Sequence, residues 1–193
     1  MKKKRENRAN KVIRNKRINK FIIIGVIVVA ALIIGFAVTN IKFSTKANAA
    51  LPIDGIKCEA MEENGFHVHA KLAIFINGQN HTVPALIGIT NYCFYWLHTH
   101  DQSGIIHIEA PVHKNFTLGN FFNIWKQKLS NNQILNHTAT TTNPLTVYVN
   151  GTQVHKGTNY RDIPLHAHDV ISIVYGTPPK VIPSKADFSA VDV

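Results

Sequence analysis

The chain has 193 residues, with 21 Lys/Arg against 11 Asp/Glu, a net charge of +10, 11 histidines and two cysteines. Ten of the basic residues fall within Met1–Lys20, against Glu6 alone, so the excess belongs to a tail and the rest of the chain is close to neutral. A basic run alone could suggest nucleic-acid binding, but the apolar segment that follows it argues otherwise.

Directly after the tail, Phe21–Val38 (FIIIGVIVVAALIIGFAV) carries no charge. As a helix it would span roughly 27 Å, close to the hydrocarbon thickness of a bilayer. We expect a transmembrane helix or signal anchor over 21–39. The basic tail 1–20 then lies in the cytoplasm by the positive-inside rule, touching anionic lipid headgroups, and everything from about residue 40 faces outside. Ala47-Asn48-Ala49 has the small-x-small form of a signal-peptidase site. A retained anchor is favoured, because the apolar run exceeds that of a cleaved signal; the alternative is a secreted domain cut near Ala49.

Residues 40–55 read as a linker, 56–178 as one compact domain, and 179–193 as an extended tail containing Pro183. Cys58 and Cys93 lie in the outer segment, where a pair of cysteines is more often a disulfide than two free thiols. A bridge would close a loop of about 36 residues and stabilise by about 3–4 kcal/mol. The rival reading is two thiolate ligands for copper.

Within the domain, Phe66–Asn77 alternates, with Phe66, Val68, Ala70, Leu72, Ile74 and Ile76 on one face, and Asn77-Gly78 closes a tight turn from which 81–83 can pair back. Trp96–Ala110 (WLHTHDQSGIIHIEA) reads as a hairpin turning at Asp101–Gly104. In NFTLGNFFNIWKQKL, Leu118, Phe121, Phe122, Trp125 and Leu129 form one helical stripe, with Thr117 as N-cap. Strands follow at Leu145–Val149, with its own Asn150-Gly151 turn, and at the nearly apolar Val170–Tyr175, which should be central. The expected fold is α+β: mainly antiparallel sheet with one covering helix, whose order from the helix onward resembles half of a β-grasp.

All the histidines lie beyond the apolar segment, and six form HxH pairs: His67/His69, His98/His100 and His166/His168. On a strand, residues i and i+2 project from one face, so an HxH pair is a two-nitrogen clamp wherever the backbone is extended. A two-residue turn at Asp101–Gly104 would set His98 opposite His107, with His100 on the same face and Glu109 at its far end, opposite Trp96. These positions are compatible with one divalent transition metal, copper or zinc, held by His98, His100 and His107. His67 and His69 would join that site or build a second one. His166/His168 precede a strand and read as turn chemistry, while His81, His113, His137 and His155 read as solvated loop residues.

The stretches FHVHAKLAIFINGQ, CFYWLHTHDQSGIIHIEAP and FTLGNFFNIW together resemble a family of uncharacterised, membrane-anchored or secreted proteins of archaea and bacteria. The resemblance spans roughly residues 56–178. It implies that the HxH and HTHD…GIIHIE residues form one unit, and implies nothing about activity.

Three functional readings remain. The first is an anchored outer domain holding copper or zinc for storage, delivery or electron transfer. The second is an enzyme: three histidines on antiparallel strands resemble the zinc site of α-type carbonic anhydrases, with Asp101 or Glu109 orienting a ligand or acting as base. The third is a structural or interaction domain without metal.

Overall fold

The protein is described by a computed structural model over residues 50–191, together with 27 and 29–31. The chain divides into two compact units, Met1–Lys46 and Ala47–Val193. In the first, the described residues Ile27 and Val29–Ala31 are helical and exposed; the rest of the expected membrane segment, and the basic tail, lie outside the described residues. Among the described residues no helix is long and apolar enough to cross a membrane.

The second unit is mostly β. Its main sheet has seven strands in the order β11-β10-β12-β2-β6-β5, with β3 also on β2. These are β2 (Phe66–Ile76), β3 (Gln79–His81), β5 (Leu97–His98), β6 (Ile105–Ala110), β10 (Leu145–Val149), β11 (Thr152–Gln153) and β12 (Val170–Tyr175). The sheet is mixed: β12 runs parallel to β2, and the other pairs are antiparallel. The long strand β2 organises it. Its first half pairs with β6 and its last residues with β3, while β12 lies along the other side.

Alternation along β2 divides the sheet into two faces. Ala70, Leu72 and Ile74 enter a core shared with Ile106, Ile108, Ile171 and Ile173, and with Phe116, Leu118, Phe121 and Phe122 from the helical segment. His67 and His69, on the odd-numbered positions of the same strand, face the other way. Two of the hairpin turns use Asn-Gly: Asn77 (φ 50°) with Gly78 (φ 79°), and Asn150 (φ 51°) with Gly151 (φ 79°). Two positive φ values are what the tight hairpin turn requires, and this dipeptide supplies them at little cost.

The helix α1 (Leu118–Trp125) starts where expected: the Thr117 hydroxyl accepts from the Asn120 amide, and the Asn120 side chain accepts from the Thr117 amide. It ends a turn earlier than its apolar stripe suggests. Lys126 turns left-handed (φ 59°), with its N–H bonded to Asn123 O and that of Gln127 to Phe122 O. Leu129 therefore leaves the helix for a three-stranded sheet of β7 (Leu129–Ser130), β8 (Gln133–Ile134) and β9 (His137–Thr138). The apolar spacing reached past the helix end because Leu129 is buried as a strand residue instead.

A final pair, β1 (Cys58–Glu59) and β4 (Phe94–Tyr95), is joined by a Cys58–Cys93 disulfide. This excludes the thiolate-ligand reading, and indicates an oxidising, extracytoplasmic setting for the domain. The C-terminal tail packs against the domain: a Cβ at Gly151 would lie 2.8 Å from Ser184 Cβ, and the rings of Phe188 and His168 stack at 4.8 Å.

Candidate metal centre

Three adjacent strands place the histidines. The β5–β6 register sets His98 opposite His107, the pairing a two-residue turn dictates, and the β2–β6 register sets His69 opposite His107 and His67 opposite Glu109. His69, His107 and His98 thus form a row across β2, β6 and β5. The period of two adds His67, Glu109 and His100 to the same face. The ring of His107 lies 4.5 Å from that of His69, 5.2 Å from that of His98 and 4.4 Å from that of His100.

The donor atoms converge. His69 Nε2 is 3.2 Å from His107 Nδ1, and His98 Nε2 is 3.2 Å from His100 Nε2. Glu109 Oε1 lies among them, 3.2 Å from His67 Nε2, 3.5 Å from His107 Nδ1 and 3.8 Å from His98 Nε2. Glu62 closes the other side, its Oε1 3.1 Å from His100 Nε2 and 3.7 Å from His98 Nε2. Three groups could each hold an ion: His67/His69/His107, His98/His100/His107 and Glu62/His98/Glu109.

The floor of the cluster is dry and the rim is wet. His69, His98, His107 and Glu109 are buried, whereas His67, His100 and Glu62 are exposed. Burial pushes the His98 pKa down to about 4, against the opposing pull of the Tyr95 carbonyl and of Glu109. His98 Nδ1 lies 2.9 Å from the Tyr95 carbonyl oxygen, which can only accept, so Nδ1 carries the proton and Nε2 presents a lone pair to the cluster. That lone pair can accept from His100 Nε2, 3.2 Å away, with the carboxylates of Glu62 and Glu109 farther off at 3.7 and 3.8 Å. Burial acts to raise the pKa of Glu109, but the hydrogen bond with His107 and the imidazoles of His98 and His67 outweigh it and leave it below the usual range. Glu109 Oε2 is nevertheless buried with no hydrogen-bond partner among the described residues.

Local structure explains how a two-residue strand holds His98 fully buried. The loop 84–90 covers the outer edge of β5: Leu86 N–H donates to Thr99 O, Thr99 N–H to Ile87 O, and the Thr99 hydroxyl to Pro84 O. Gly88 permits that approach, since a Cβ there would sit 2.4 Å from Leu97 O and 3.1 Å from His98 Cβ. On the other flank, the disulfide and the Cys58↔Tyr95 pairing hold the segment leading to Glu62 beside the strand that orients His98.

Glu62 is a member of the cluster that strand periodicity does not reveal. The acidic run Glu59, Glu62, Glu63 just after Cys58 was the available signal, given that Cys58 is tied to Cys93, five residues before His98. Asp101 belongs to none of the three close donor groups. Its carboxylate accepts from the Ser103 amide in the turn, and hydrogen bonds from Ser103 lower its pKa. His166 and His168 lie in a turn: His166 Nδ1 is 3.2 Å from Asp169 Oδ2, and His168 is left-handed (φ 61°). Two of the expected loop histidines are strand residues, because short hairpins formed around them. His81 ends β3, and His137 starts β9 with its ring 4.9 Å from that of Tyr175.

Fold and cluster together define a mainly β domain with a histidine–carboxylate face on a mixed sheet. A scan against protein-family models, a search of curated proteins and a search of solved structures found no match.

Proposed function

We propose that this domain binds a divalent transition metal, copper or zinc, through His98, His100 and His107, with His67, His69 and Glu109 beside them, for storage, delivery or electron transfer. The observation that carries the reading is the convergence of imidazoles on one strand face, with the His107 ring within 4.5 Å of both the His69 and the His100 ring. Burying ring nitrogens and a carboxylate together is costly unless protons or a cation are shared between them. Imidazole and carboxylate suit either metal.

The surrounding proposals follow from the same chain. Phe21–Val38 anchors the domain in lipid, with the basic tail inside and no role in binding nucleic acid. The strand order, with β12 inserted beside β2 after the helix, is read as β-grasp-like. The motif resemblance would make the histidine face a property of that family. A second reading, a zinc hydratase or hydrolase, is favoured by one feature: the exposed rim at His100 and Glu62 gives solvent a route to the donors, and Glu62 is placed to act as base.

The test is metal analysis of protein purified without a His tag, followed by calorimetric titration with Zn²⁺ and Cu²⁺. Retained metal or tight uptake, abolished in His107→Ala, is expected. No retention and no uptake would overturn the proposal. Carbon dioxide hydration or ester hydrolysis by the zinc-loaded protein would favour the enzyme.

A further inference from the structure

We infer that this face holds two metal ions side by side, with the Glu109 carboxylate between them and Glu62 as an outer ligand of one. The inference rests on the metal-binding reading and extends it from one ion to a pair.

The number of donors is the first argument. Five imidazoles and two carboxylates meet on one face, whereas a structural zinc takes four ligands and a catalytic zinc commonly takes three from the protein. The donors are also distributed. Strands β2 and β5 flank β6 on opposite sides, so His67/His69 and His98/His100 approach from two strand positions about 9–10 Å apart. The two three-histidine groups share His107 alone. Each HxH pair therefore has its own share of the face, with β6 between them.

Glu109 is the second argument. Its Oε1 reaches towards both sides, 3.2 Å from His67 Nε2 and 3.8 Å from His98 Nε2. Its Oε2 is buried and accepts from nothing among the described residues, on a residue only 2% exposed. A carboxylate bridging two ions uses both oxygens, and two-metal centres of this kind hold their ions roughly 3.5–4 Å apart. A single ion held at one HxH pair leaves the other pair, on the far side of β6, with nothing to hold, and a second ion gives it an occupant.

The test is native mass spectrometry of the full chain, extracted in detergent, stripped with chelator and titrated with Zn²⁺. Wild-type protein should take up two ions per chain. His67→Ala/His69→Ala and His98→Ala/His100→Ala should each retain one, and Glu109→Gln should weaken the second ion more than the first. In case a double variant does not fold, wild-type protein loaded with Cu²⁺ provides a separate readout: electron paramagnetic resonance should show a coupled pair, with a half-field transition. A plateau at one ion, or an uncoupled copper signal at full loading, overturns the two-ion inference and leaves the single-site reading standing. No uptake overturns both.

Discussion

His98/His100 and His166/His168 are written with the same spacing, yet the chain uses them differently. The first pair begins in a strand, and its nitrogens meet at 3.2 Å beside His107 on the next strand. The second lies in a turn, where His166 bonds Asp169 and the ring of His168 stacks on Phe188. Spacing of two makes a clamp only on extended backbone, and a clamp becomes a site only when a neighbouring strand supplies a third donor. The left-handed backbone at His168 breaks the first condition, and the second pair belongs to none of the close donor groups.

The largest effect should come from breaking the shared position. His107→Ala removes a donor common to both three-histidine groups, and should cost more affinity than the roughly 10–100-fold typical of losing an outer partner of a metal ligand. His166→Ala and His168→Ala should leave the calorimetric isotherm unchanged. Next comes the tether. Cys58→Ser/Cys93→Ser should lower stability in urea by about 3–4 kcal/mol, and should weaken metal binding as well, because the segment carrying Glu62 is then no longer tied beside β4.

Acid should separate the pairs more gently. In chelator-treated protein, His98 is held neutral with its pKa lowered by burial to about 4, below the unfolded value of about 6.5. The unfolded chain then binds the extra proton first. The stability this group contributes is complete above about pH 6.5 and lost as pH falls towards about 4. His98→Gln should flatten that part of the stability profile, and His166→Gln should not. The smallest effect lies on the opposite face of the sheet: Thr117→Ala removes the helix cap and should cost about 1 kcal/mol in thermal or urea unfolding, with metal affinity unchanged.

What the sequence made legible was local. The Asp101–Gly104 turn was enough to set His98 against His107, and both Asn-Gly turns and the capped helix start could be placed from neighbouring residues. What it concealed was pairing over long separations. The contact of His69 with His107 spans 38 positions and depends on which strand β6 chooses as its second neighbour. Glu62 was hidden for a similar reason: its place depends on a disulfide and a loop rather than on any period. The helix end was missed because Leu129 satisfies the helical stripe and a strand position equally well, and the left-handed turn at Lys126 decides between them.

Metal is expected on the β2–β6–β5 face and at no other histidine. The most direct measurement is a long-range ¹H–¹⁵N correlation spectrum of the histidine rings during titration with Zn²⁺. The ring nitrogens of His67, His69, His98, His100 and His107 should shift to metal-bound values, while those of His81, His137, His166 and His168 stay where they are. Shifts confined to His166 and His168, or no shift at any ring, would contradict that placement.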